Sequence, residues 1–178
     1  RFTRVLFQGG ACLGAATVAE SWLWHGDDWA KLEPVPTPGR VTGFSLANDP
    51  NREETILFGG IDFQERSSTY RFRDNNWSFK PENHVPGGRS LFAMVSDPER
   101  NVTWLYGGLD DVGQTLFDLY MLRGGVWTRM RIEGGPPFCF NPLGAWEPNR
   151  KRMVLMCDNG DLWEWDGEEW YDFSSTNI

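Results

Sequence analysis

Histidine, cysteine and positive charge are scarce in this chain of 178 residues. Its two histidines, His25 and His84, and its three cysteines, Cys12, Cys139 and Cys157, include no pair at metal-site spacing, so neither a metal nor a cofactor is expected. The odd, widely spaced cysteines read as buried or incidental thiols. Lys and Arg number 17 against 25 Asp and Glu, a net charge of −8. Nucleic-acid binders concentrate cations on one face, so this balance argues against nucleic acid and equally against anionic membrane surfaces. No apolar run approaches the ~18 residues of a membrane-spanning helix. No stretch shows the charged, apolar and small-residue zones of a signal peptide.

What the chain does have is a repeat. Apolar runs end in a diglycine at Gly9-Gly10, Gly59-Gly60 and Gly107-Gly108, with first glycines 59 − 9 = 50 and 107 − 59 = 48 residues apart. A tryptophan follows each, at Trp29, Trp77 and Trp127, and Trp170 closes a shorter fourth copy. Asp49-Pro50-Asn51-Arg52 and Asp97-Pro98-Glu99-Arg100 precede the second and third diglycines, and Glu147-Pro148-Asn149-Arg150 stands at the same place in the fourth copy. Three markers in one phase predict a supersecondary unit stacked several times. Within a unit, short apolar segments such as 40–46 and 89–95 predict a first strand, followed by an Asp-Pro turn. A second strand runs into the diglycine, a variable loop leads to a third strand at 69–72 or 119–122, and a tight turn leads to the tryptophan strand. Four antiparallel strands per repeated unit predict an all-β protein built of propeller blades.

The diglycines, the fourth-strand tryptophans, and Arg40 and Arg89 after Pro/Gly segments resemble the kelch family of β-propellers over nearly the whole chain. The tryptophan-rich segments 22–29 and 162–170 look like the form common in bacterial kelch proteins, and the expected location leans to the extracellular space or cell envelope of a bacterium. The resemblance implies four-stranded blades at 1–39, 40–88, 89–137 and 138–178. That makes about 3.75 blades, the first lacking its inner strand, whereas a closed ring of this family has six or seven. The chain is therefore expected to be a fragment of a longer propeller or to self-associate, most simply as a dimer. In the fourth unit Met156-Cys157-Asp158-Asn159-Gly160 replaces the diglycine and long loop, and Phe138 replaces the leading arginine.

Variable loops on a repeated scaffold are where binding concentrates. The expected ligand-binding residues are Asp62, Glu65, Arg66, Asp110, Asp111 and Gln114 in the loops after the diglycines, with Arg40, Arg89 and His84 in the blade connections. The arginines suit a bidentate carboxylate ligand, or else tie adjacent blades through loop carbonyls. Asp110-Asp111 and the segment 158–161 carry enough oxygens to be considered for calcium but lack the spacing of a known loop. Gly9, Gly10, Gly59, Gly60, Gly107 and Gly108 are assigned to backbone geometry, and Trp29, Trp77, Trp127 and Trp170 to packing between sheets. The resemblance implies two functions: a non-enzymatic module binding a protein or glycan, or part of a propeller enzyme acting on carbohydrate or sialic acid. The copper-oxidase branch of such propellers is disfavoured because His25 and His84 fall on opposite faces, and the repeat typical of sialidases is absent.

Overall fold

The structure is a computed structural model that describes residues 5–9, 19–33, 36–62, 66–79, 81, 85–137 and 139–174. Among these residues there is no helix, and fifteen strands form four separate antiparallel sheets. Sheet one has three strands, β1 (Val5–Gln8), β2 (Ser21–Trp24) and β3 (Trp29–Leu32). Sheet two is β4 (Ser45–Asp49), β5 (Glu54–Phe58), β6 (Thr69–Arg73) and β7 (Asn76–Phe79). Sheet three is β8 (Ala93–Asp97), β9 (Val102–Leu109), β10 (Thr115–Arg123) and β11 (Val126–Arg129). Sheet four is β12 (Leu143–Glu147), β13 (Arg152–Met156), β14 (Leu162–Trp165) and β15 (Trp170–Asp172). Each is a simple blade-like meander in chain order.

The turns between the first two strands of sheets two to four share one mechanism. Asp49 accepts a hydrogen bond from Asn51 N–H, Asp97 accepts from Glu99 and Arg100 N–H, and Glu147 accepts from Asn149 and Arg150 N–H. Each turn then closes through a residue with positive φ, Glu53 (54°), Asn101 (53°) and Lys151 (56°). The first strands begin later than the apolar pattern predicts, at Ser45 and Ala93 rather than at Arg40 and Arg89. Gly43 (φ 64°), Leu91 (55°) and Asn141 (46°) take left-handed conformations that break the extended chain just upstream.

Side chains between consecutive sheets make three apolar cores. Leu23 of sheet one meets Leu57, Phe72 and Trp77 of sheet two. Ile56 and Phe58 of sheet two meet Met94, Leu105 and Trp127 of sheet three. Ala93, Val95, Trp104 and Tyr106 of sheet three meet Met153, Leu155 and Trp165 of sheet four. The four repeat tryptophans occupy one register position: Trp24↔Trp29, Phe72↔Trp77, Leu122↔Trp127 and Trp165↔Trp170 are ladder partners. Trp77 and Trp127 are buried, and Trp77 Nε1 donates to Ser21 Oγ across the first interface at 2.9 Å. Trp170 is half-buried and packs edge-on against Tyr106. Trp29 departs from the expected packing. It is 41% exposed and stacks only on Phe7 and Trp24 of its own sheet, because no sheet lies on its outer side among the described residues.

The diglycines that can be followed adopt positive φ, at Gly59 (69°), Gly60 (88°), Gly107 (72°) and Gly108 (108°). A Cβ on Gly59 would lie 2.6 Å from the Arg89 carbonyl and one on Gly108 2.7 Å from the Ser90 carbonyl, so close backbone approach also requires glycine there. Gly9 is buried, and Gly10 lies outside the described residues.

Candidate functional site

The loop residues expected to bind are mostly engaged in holding their own loops. Asp62 pairs with Arg66, and Arg66 also donates to the Pro38 carbonyl, which joins the loop to the preceding connection. Asp110 Oδ1 accepts from Val112 and Gln114 N–H, closing a turn that leaves Asp111 and the Gln114 side chain exposed. Glu65 and His84 lie outside the described residues. Asp158 accepts from Phe140 N–H, and Asn159 bonds Asp161, so this segment is an internally bonded turn. Among the described residues no group of His, Cys, Asp and Glu is arranged to hold a metal ion.

Arg40 and Arg89 do not occupy equivalent positions. The bridges Thr42↔Ile61 and Ser90↔Leu109 align Val41, not Arg40, with Arg89, an offset of 90 − 42 = 48 residues. A shift of one residue moves a side chain to the opposite side of an extended segment. Arg40 is therefore exposed, whereas Arg89 is 2% exposed. Arg89 donates to the Gly107 carbonyl at 2.9 Å and to both oxygens of Asp118 at 2.6 and 3.2 Å, and it lies over the Tyr120 ring. Its bidentate carboxylate partner is Asp118 of the same sheet, so Arg89 is not available to a ligand carboxylate.

The same register places Cys139 where Arg89 stands and Cys157 where Gly107 stands. These two cysteines are buried, as expected, but they form a disulfide with Cα atoms 4.7 Å apart and are not thiols. The connection before the first strand is thus anchored by buried Val41 in sheet two, by the Arg89–Gly107 hydrogen bond in sheet three and by a covalent bond in sheet four.

A wide concavity lies on the opposite side from the diglycine loops, at the Asp-Pro turns. It has a volume of about 970 Å³ and continues into a smaller one of about 390 Å³ bordered by β4, β8 and β12. Asn48, Ser96 and Trp146, each the fourth residue of its first strand, line both parts. The wall adds Glu53, Glu54, Arg73, Asp74 and Asn75 from the turns of sheet two, with Leu6, Leu23 and Phe72 as apolar floor. Hydrogen bonds across sheets fix its rim: Ser96 Oγ and Thr103 Oγ1 both donate to the Asn48 carbonyl, at 2.6 and 2.8 Å. Arg52 donates to the Gly124 carbonyl at 2.6 Å, and Arg100 to those of Asp166 and Lys151, so these turn arginines clasp the next sheet. Asn48, Arg73, Asp74 and Asn75 are exposed and Trp146 is half-buried, so one indole shares the lining with several planar polar groups.

No protein-family model matches the chain, and no curated protein matches it either. Sequence reasoning missed Trp146, although a signal was present: its counterparts Asn48 and Ser96 are small and polar, so the indole is the outlier of its column.

Tyr106, Glu147 and Asp166 have displaced protonation. Burial pushes the Tyr106 hydroxyl far above the usual tyrosine range, with the charge of Asp118 adding to it, and the hydroxyl donates to the Pro136 carbonyl at 3.0 Å. It is a neutral core donor. Glu147 is held below the usual carboxylate range by Arg150 N–H, with Asn149 assisting. For Asp166, burial opposes the charged form, but the N–H groups of Glu169 and Glu168 and the Tyr171 hydroxyl outweigh it and lower its pKa.

Proposed function

We propose that the protein is a kelch-type β-propeller, or a portion of one, acting as a non-enzymatic module that binds a glycan or protein ligand. The observation carrying this reading is the turn-side cavity, whose lining combines the Trp146 indole with Asn48, Asn75, Asp74 and Arg73. An aromatic face stacks on the C–H face of a sugar, and planar amides and carboxylates hydrogen-bond paired hydroxyls. Four blade-like sheets with matching register, turns and tryptophan positions support the propeller assignment. Exposed Phe7 and Trp29 on sheet one, and Leu143 and Met156 on sheet four, support self-association or coverage by further blades. The Cys139–Cys157 disulfide supports an oxidising compartment such as the extracellular space or cell envelope.

The cavity also selects by charge. Four carboxylates line it, those of Asp49, Glu53, Glu54 and Asp74, and they are offset by Arg73 in the lining and by Arg71 held between Asp49 and Glu54, which leaves an excess of 4 − 2 = 2 negative charges. A sialate or other acidic sugar is repelled, which weighs against the sialic-acid enzyme alternative and favours a neutral ligand. A panel of immobilised neutral and sialylated oligosaccharides tests this reading. Neutral glycans are expected to bind, with Trp146→Ala removing binding while the thermal unfolding midpoint is kept. Retention of sialylated glycans alone, or full binding by the Trp146 variant, would refute it.

A further inference from the structure

The outer strand of sheet three differs in charge from those of the other sheets. β7 carries no ionisable residue, β15 ends in Asp172, and Lys31 of β3 is paired with Glu20 at 2.9 Å. By contrast, Arg129 and Arg131 are both exposed on the edge formed by β11 and its continuation, and neither makes an ion pair within the described residues. Met130 and Ile132 pack against the core between sheets three and four, so the chain keeps an alternating pattern here and the two arginines share the opposite face, that of Trp127. Met130 N–H donates inward to the Leu119 carbonyl at 2.9 Å. In an antiparallel ladder, neighbouring residues turn their backbone groups to opposite edges, so the N–H and C=O of Arg129 face away from β10. β11 is the edge strand of its sheet, and those groups are open to another chain.

Beside this edge the strands splay apart. The register of β10 slips between Leu116 and Leu119, and a cleft of about 690 Å³ opens between 115–118 and 129–132. Phe117, 42% exposed, stands at its mouth. We infer that this edge is a docking site for an extended acidic peptide segment, which adds as a strand to β11. Its alternate carboxylates would meet Arg129 and Arg131, and an apolar side chain would lie against Phe117. Charge on an edge strand prevents indiscriminate pairing. Two adjacent unpaired arginines go further, because they repel basic strands and admit acidic ones.

The probe is a short peptide of alternating glutamate and valine, titrated into the isotopically labelled chain and followed by amide NMR shifts. Saturable shifts are expected at Arg129 and Arg131. A peptide with glutamine for glutamate, and one N-methylated along a single edge, should each bind much more weakly. Arg129→Gln with Arg131→Gln should weaken the original peptide about tenfold, since two partly exposed ion pairs are lost. Equal binding of the glutamine or N-methylated peptides would overturn the inference, as would an absence of shifts along β11. Oligogalacturonate shifting the same amides when the peptide does not would assign the arginines to an acidic glycan instead. The two peptide controls need no substitution in the protein, so a folding defect cannot mask the result.

Discussion

In sheet two the Arg71 guanidinium lies between Asp49 and Glu54, 3.2 Å from each. In sheet four, at the position that corresponds in register, the Glu164 carboxylate lies between Arg150 and Arg152, at 2.5 and 3.0 Å. Arg71 faces Ile56 and Glu164 faces Val154, two residues beyond Glu54 and Arg152 respectively, so the Glu54–Arg71 pair is repeated with its charges exchanged. Sheet three has Val102 and Met121 at the same two positions. The fold therefore requires a compensated cluster or an apolar pair there and is indifferent to which sign sits on which strand. The two clusters do differ in exposure. Asp49 and Glu54 are 2% and 15% exposed, whereas Arg150 and Arg152 are 57% and 22% exposed.

That difference sets the order of the expected losses. Arg71→Met leaves the buried Asp49 and the half-buried Glu54 without their shared cation and should cost about 3–5 kcal/mol in urea unfolding. Adding Asp49→Asn and Glu54→Val to the same chain, which moves sheet two towards the apolar arrangement of sheet three, should recover most of that loss. A triple variant no more stable than the single one would show that position 71 depends on more than charge compensation.

Next in size is the covalent anchor of sheet four. Replacing Cys139 and Cys157 by alanine should cost about 2–4 kcal/mol. A reducing agent should lower the stability of the parent chain towards that of the double variant and leave the variant unchanged. Glu164→Gln should cost less, about 1–2 kcal/mol, because solvent reaches the two arginines it leaves behind. A loss equal to that of Arg71→Met would mean that exposure does not separate the two clusters.

The smallest effect is in pH. The folded pKa values of Asp166 and Glu147 are both lowered, so the stability they contribute is present above the ordinary carboxylate range and is lost as pH falls through the folded values. The melting temperature should drop below about pH 4, and more gently in Asp166→Asn. Identical pH profiles for parent and variant would remove Asp166 from this account.

The repeated parts of the molecule were legible because each copy checks the others. The tryptophan period located one register position in all four sheets, and the Asp-Pro turns located the hairpins. What depends on an offset of one residue was not legible. Arg40 and Arg89 look alike beside their Pro/Gly segments, yet the spacing of 89 − 40 = 49 residues misses the structural offset of 48. The Cys139–Cys157 disulfide was hidden for a related reason: it joins positions held by Arg89 and Gly107 in the preceding sheet, and that equivalence appears only once the strands are paired. Trp29 has the sequence context of the buried tryptophans, but its exposure depends on what lies against its outer face. The sequence points to the loops that vary most in length as the candidate site. Their variation reflects separate internal closures, such as Asp62–Arg66 and Asp110–Gln114, while the cavity is lined by short turns that look uniform in sequence.

In the proposed function, ligand is held on the turn side, against Trp146, and not by the diglycine loops. A direct comparison of Trp146→Ala with the loop variant Asp110→Ala/Gln114→Ala, binding a neutral glycan selected on the parent protein, tests it. The expected result is at least a tenfold loss for Trp146→Ala, about 1.4 kcal/mol or more, with the loop variant unchanged. Loss of binding in the loop variant, with Trp146→Ala still at parental affinity, would contradict the claim.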